Sequence, residues 1–269
     1  MNTKPVTDAW AHGDLYEQYV GRWSRQVAPR FVDWLKVPPG RRWLDVGCGT
    51  GALCAAILEK ASPSSVVGVD PSSGFRETAQ RHLGDRVSLH PGNATTIPLG
   101  NASVDVVVSG LVLNFVPDQP AALAEMARVA GQGGTVAAYV WDYAEKMQLM
   151  RYFWDAAISL DAGVAQMDEL VRFPICRPEP LKQLFADAGL DDVEVMAIDI
   201  ATSFASFADY WAPFLGGQGP APSYAMSLDE AARSHLRDRL EQQIPARPDG
   251  SIAMIARAWA VRGTLSPQA

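Results

Sequence analysis

The 269-residue chain is poor in several things, and each scarcity removes a class of protein. Its three cysteines, Cys48, Cys54 and Cys176, are too few for a disulfide framework and form no paired C-x-x-C arrangement that would hold zinc. The four histidines, His12, His82, His90 and His235, are scattered, so no metal site is expected. Basic residues are outnumbered: 23 Lys and Arg against 30 Asp and Glu leave a net charge of −7. That balance argues against the phosphate-neutralising footprint of a nucleic-acid binder. No apolar run approaches the roughly 18 residues of a membrane span. The N-terminal stretch lacks the apolar core of a secretory signal. A reduced, cytoplasmic protein with no membrane partner is expected. With 48% hydrophobic and 20% charged residues the composition is globular. The length suits one α/β domain with additions better than two equal domains.

What is present is an alternation of short apolar runs and helical patterns. Residues 42–46 (RWLDV) read as a buried strand, followed by a glycine-rich turn and a helix over 52–61. Residues 66–70 (VVGVD) form a second strand, and Ser72 is placed to cap a helix through Leu83. Strands are expected at 87–90, 104–109 and 135–141. A helix starts after Asp118 and Pro120 and ends at Gly131. Such alternation means βαβ units and a mainly parallel sheet. Beyond Trp141 the stripe Met147, Met150, Trp154, Ala157 and Ile158 predicts a core-facing helix. A short helix over 178–188, a strand at 193–200 and a last strand at 252–261 follow. Between those strands, residues 203–248 are rich in Trp, Phe, Gly and Pro. They hold a capping box, Ser227-x-x-Glu230, ahead of the stripe Leu228, Ala232, Leu236, Leu240 and Ile244. Near the N-terminus, Val20, Trp23, Val27, Phe31 and Trp34 also fall at helical spacing.

The chemistry concentrates in Leu44-Asp45-Val46-Gly47-Cys48-Gly49-Thr50-Gly51, between a strand and a helix. Glycines there permit a tight turn and close approach of backbone to a ligand. The spacing is G-x-G-x-G; a dinucleotide site uses G-x-G-x-x-G to seat its pyrophosphate. Asp45, ahead of the first glycine, suits an ammonium or sulfonium better than a phosphate. Asp70 ends the second strand, where a carboxylate can accept hydrogen bonds from vicinal ribose hydroxyls; it can equally be a strand-end turn residue.

Four stretches in order, WLDVGCGTG (43–51), VVGVD (66–70), GNATTIPLGNASVDVVVSG (92–110) and EMARVAGQGGTVAAYVWD (125–142), resemble class I S-adenosylmethionine-dependent methyltransferases. The similarity is to the type-11 group that includes ubiquinone and menaquinone C-methyltransferases. The resemblance implies a Rossmann-like α/β fold: seven strands, mainly parallel, the last antiparallel and inserted in the sheet, with helices on both faces. It divides the chain into a helical lid (1–38), a core (39–200 and 249–265) and an insertion (203–248) that caps the substrate. It implies that the backbone of Gly47, Cys48 and Gly49 lies along the methionine part of the cofactor, with Asp45 near its ammonium group. Asp70 would hold the ribose, with Pro71 and Ser72 following and Phe75 beside the adenine. Asn93 and Ala94 would meet the adenine edge; Asn93 stands where the family usually has Asp, and its side-chain oxygen can still accept from the amino group. Ser109, Gly110 and Leu111 would flank the methyl group. Tyr19 and Arg22 belong to the lid, where Arg22 either pairs with the methionine carboxylate or is a solvated charge.

The implied reaction is SN2 transfer of a methyl group from S-adenosylmethionine, leaving S-adenosylhomocysteine. The protein mainly aligns the acceptor and excludes water. If the acceptor must lose a proton, Asn114, Asp142 and Tyr143 are the catalytic candidates, although Asp142 equally suits a helix cap. Trp141, Trp211, Phe214, Gly217 and Tyr224 are the substrate candidates, with Trp211 and Phe214 alternatively packing the insertion onto the domain. A small-molecule acceptor, no nucleic acid, and a monomer or homodimer are expected. The alternatives are a cofactor-binding relative without turnover and a methyltransferase acting on nucleic acid or protein.

Overall fold

The apolar runs become strands wherever both faces of a sheet are to be covered. In the computed structural model, which describes residues 21–217 and 219–266, β1 is Arg42–Val46, β2 Ser65–Asp70, β3 Ser88–Pro91 and β4 Val104–Gly110. β5 is Ala130–Trp141, β6 Asp191–Phe204 and β7 Ile252–Thr264. They form one seven-stranded sheet in the order β3-β2-β1-β4-β5-β7-β6. The strands from β3 to β5 pair in parallel. β7 runs antiparallel to β5, from Thr135 opposite Thr264 to Trp141 opposite Ala258. The last strand is therefore inserted between β5 and β6, as expected. Chain order reverses beside β1, which has β2 on one side and β4 on the other. In open α/β sheets this is where the carboxyl ends of strands leave a crevice for ligands.

The helices follow their caps. α1 is Arg22–Leu35, and α2 is Ala52–Lys60. α3, Ser73–Leu83, is capped by Ser72, whose hydroxyl accepts from the Phe75 amide. α4, Gln119–Val129, is capped by Asp118. It stops two residues before Gly131, because Ala130 is already paired with Val104 at the start of β5. α5 is Gln148–Leu160, α6 Glu169–Arg172 and α7 Pro178–Asp187. The region between β6 and β7 folds as α8 (Phe207–Trp211), α9 (Pro220–Ser227) and α10 (Glu230–Gln243). The capping box expected at Ser227 is not formed. Asp229 caps α10 through the Ala232 amide, while the Ser227 hydroxyl donates to the Tyr224 carbonyl and closes α9. An aspartate directly before the helix outcompetes a serine two positions earlier.

Two compact units share the chain. One takes in Ser24–Trp141, Ile175–Ile198 and the chain from Ala258; the other takes in the segment up to Trp23, Asp142–Pro174 and Asp199–Arg257. Residues 142–174, assigned to the core on sequence grounds, thus lie in the same unit as the 203–248 insertion. Within the first unit α1 is core structure from Ser24 onward. Val27 and Phe31 are fully buried, and the Phe31 ring lies 4.8 Å from that of Tyr139 on β5. Arg262 of β7 donates to the carbonyls of Trp34 and Leu35, placing a cation at the negative end of α1.

Phe31→Ala removes a fully buried ring and is expected to lower unfolding stability by about 3–5 kcal/mol in denaturant titration. A loss below about 1 kcal/mol would instead make this helix a detachable cover.

Candidate active site

The glycine loop is shaped by backbone conformation first. Gly47 has φ 77°, and a Cβ there would lie 2.6 Å from a Val112 methyl. Gly51 has φ 87°, and its Cβ would strike Leu83 of α3. These two glycines let the loop press against its neighbours. At Gly49 the added Cβ would meet nothing nearer than the Gly47 carbonyl at 4.0 Å, so this face is open. The amides of Gly47 and Cys48 both donate to the Val69 carbonyl, at 2.7 and 3.1 Å, anchoring the loop to β2.

Asp70 closes the arrangement. Its carboxylate accepts from the Gly49 amide through one oxygen and from the Ser72 amide through the other, both at 2.9 Å. It therefore ties the turn after β1 to the turn after β2 and keeps further lone pairs for a ligand. Burial pushes its pKa up, against the two amides and Arg76, which pull it down. Asp45 is fully buried. Its Oδ2 accepts from the Cys54 thiol at 3.2 Å, and its Oδ1 has no partner. Burial pushes its carboxyl up to about 7. The Cys48 side chain is buried against the Gly68 position, so the loop offers its backbone there. Pro71 is exposed, Ser72 spends its hydroxyl on its helix, and Phe75 is buried.

Two expectations change. Asn93 does not offer its oxygen, because Oδ1 already accepts from the Thr95 amide (3.0 Å) and hydroxyl (2.9 Å) in a local turn beside Ala94. An adenine amino group would find both lone pairs taken. Ser109 donates its hydroxyl to the Val46 carbonyl at 2.8 Å, so it stitches β4 to β1. Beyond it, Gly110 leaves room for Tyr139, whose hydroxyl would be 2.5 Å from a Cβ. Leu111 holds φ 62°, unusual for a branched side chain, with its amide donating to the Tyr139 carbonyl at 2.8 Å. Asn114, in a short 3₁₀ turn after β4, is buried with Nδ2 unpartnered; as a donor it can orient a ligand but cannot act as a base. Trp141, at the end of β5, is 3% exposed.

The remaining candidates lie in the second unit, except Tyr19, which is outside the described residues. The Arg22 guanidinium stacks on Trp23 (4.5 Å) and Phe204 (4.9 Å) and lies 3.6 Å from Asp209. Its Nε and Nη2 are buried without partners. Asp142 is 1% exposed and uses Oδ1 to accept from the Glu145 amide at 3.1 Å, closing a turn ahead of α5, whose N-cap is Met147, while Oδ2 is unpartnered. The Tyr143 ring packs 5.9 Å from Phe173. Phe214 is fully buried and stacks on Phe153 at 4.5 Å; Tyr224 packs edge-on to the same ring. Both are core to this unit. Trp211 differs: it lines a cavity of about 510 Å³ with Phe207, Ile244, Ile252, Arg237 and Glu241. Gly217 has φ 67° and gives its carbonyl to the Ser223 hydroxyl.

Comparison with known proteins agrees with this geometry. Residues 44–138 match the family model described as a methyltransferase domain. An uncharacterised methyltransferase of Mycobacterium tuberculosis is 33% identical over 259 residues, covering 92% of this chain and 94% of that protein. The chain belongs to the methyltransferase family. A Geobacillus demethylmenaquinone methyltransferase is 31% identical over 191 residues, 65% of this chain and 79% of that one. Shorter matches span 33% of a Streptomyces fradiae transposon protein and 52% of a Serratia marcescens malonyl-[acyl-carrier protein] O-methyltransferase. The fold is shared with a Haemonchus contortus phosphoethanolamine N-methyltransferase holding phosphomonomethylethanolamine and S-adenosylhomocysteine. That likeness has a TM-score of 0.58 and 16% identity, over 95% of this chain and 57% of the other.

The methyltransferase also carries a buried polar group that no sequence pattern flags. Glu169 on α6 is 1% exposed and accepts from the Trp154 indole of α5. Next to it, Asp168 receives both Nη atoms of Arg151 at 2.8 Å. The local pattern of residues 168–172 (DELVR) gives no sign of the buried acid, and only the pairing of Trp154 with an acid in space reveals it. Burial pushes Glu169 up to about 7.

Its folded pKa lies above the unfolded value, so Glu169 binds its proton more tightly in the native state. The resulting stability is present below about pH 4.5 and lost as pH rises to about 7. Glu169→Gln is expected to remove that share, on the order of 3 kcal/mol, from the pH dependence of unfolding between these limits. An unchanged pH profile would contradict a buried, proton-binding Glu169.

Proposed function

We propose that this methyltransferase uses S-adenosylmethionine to methylate a small-molecule acceptor. The observation that carries the reading is the glycine loop held by Asp70 over a buried Asp45 with one unpartnered oxygen. Those residues fit the group: Asp45 Oδ1 suits a cationic ammonium, and the free lone pairs of Asp70 suit vicinal hydroxyls. The open face of Gly49 admits a ligand against backbone. Phe75 serves the adenine ring, Ala94 its edge, and the backbone from Ser109 to Leu111 the methionine end. Arg22 keeps a guanidinium fork suited to a carboxylate.

When bound, S-adenosylmethionine supplies an already activated methyl group. The chain's work is to orient, and to exclude water from, the acceptor. Asn114 offers a buried N–H₂ for that orientation. Acceptor recognition is assigned to the 203–248 insertion, where Trp211 and the cavity beside it present aromatic and aliphatic surface with Arg237 and Glu241. A net charge of −7 favours a small acceptor over a nucleic-acid backbone.

Asp70→Ala removes two charge-assisted hydrogen bonds and is expected to weaken S-adenosylhomocysteine binding by about 3 kcal/mol or more, beyond calorimetric detection. Binding equal to wild type in a folded Asp70→Ala protein would overturn the assignment.

A further inference from the structure

Beneath the glycine loop, Asp45 meets a cysteine of the following helix. Cys54, on the first turn of α2, is fully buried, and its thiol donates to Asp45 Oδ2 at 3.2 Å. Cys48, within the loop, is hydrogen-bonded to the same thiol. The in-register neighbours of Asp45 are Gly68 on β2 and Val108 on β4, neither of which ionises. The groups that bear on its charge are Cys54, which favours the carboxylate through its hydrogen bond, and Asp70, which disfavours it. An ionised carboxylate buried with only the Cys54 amide and a weak thiol donor on it, and with Oδ1 unpartnered, is under-satisfied. A protonated carboxyl is the cheaper state until a cation arrives.

We propose that Cys54 is a positioning residue for Asp45: its thiol holds Oδ2, keeps Oδ1 for a cationic group of the ligand, and lets that cation replace the Asp45 proton. The proposal rests on the glycine loop being the cofactor site. The exchange balances: one ammonium enters beside Asp45 and one proton leaves the carboxyl for solvent. Binding is then linked to pH. Below the Asp45 pKa, near 7 in the free protein, affinity falls about ten-fold per pH unit. Without the Cys54 donor that pKa rises further, so the fall sets in at higher pH.

The test is calorimetric titration of the full chain with S-adenosylhomocysteine from about pH 5.5 to 7.5, below the pKa of an α-amino group. It is run in two buffers of different ionisation enthalpy. For the wild type the expected results are about ten-fold weaker binding at pH 6 than at the high-pH limit and release of nearly one proton per ligand at pH 6. Cys54→Ala is expected to displace the profile to higher pH and to bind several-fold more weakly at pH 7. Cys54→Ser, which keeps a donor, is expected to restore it. A Cys54→Ala profile that superimposes on wild type, or falls by one factor at every pH, overturns the positioning role. Failure of the wild type to bind at any pH overturns the cofactor reading itself.

Discussion

The Asp70 carboxylate is the constraint on which the site depends. One oxygen fixes the Gly49 amide and the other the Ser72 amide, so a single side chain sets the turns after β1 and β2 together. The Val69 carbonyl adds the amides of Gly47 and Cys48. A loop with three left-handed glycines would otherwise sample many shapes. Here it is held open-faced at the point where strand order reverses. The Ser109 hydroxyl reaching back to Val46 locks the third strand end, β4, into the same geometry.

Burial then sets the electrostatics. Asp45, Asp70 and Glu169 are all withdrawn from water, and in each case desolvation raises the pKa against local hydrogen bonds. The exposed carboxylates behave oppositely. Asp105 paired with Arg42 and Asp199 paired with Arg257 are pulled down by their guanidinium partners. The acids whose pKa is raised are the interior ones, and two of the three surround the glycine loop.

Most of the sheet was legible because periodicity and turn chemistry report local structure directly. Strand β4 needed only its β-branched run, and α3 only Ser72 and the Phe75, Ala79, Leu83 spacing. Misses came where tertiary pairing decides. β5 begins at Ala130 because Val104 is there to pair with it, although the sequence reading ends a helix at Gly131 and starts the strand at 135. Asp229 displaced Ser227 as a cap. The loop residues were legible because they form a contiguous motif. The side-chain roles of Asn93 and Ser109 were not, since each is consumed by a neighbour that only the folded backbone brings near. Phe214 and Trp211 share a composition signal, yet one is core and the other faces a cavity.

The Asp70-clasped loop, with its G-x-G-x-G spacing and acidic floor, is expected to receive a cation-bearing nucleoside and to reject a pyrophosphate. Parallel titrations of the wild-type chain with S-adenosylhomocysteine and with NAD test this most directly. Saturable one-to-one binding of S-adenosylhomocysteine with no detectable binding of NAD is expected. Binding of NAD in place of S-adenosylhomocysteine would contradict it.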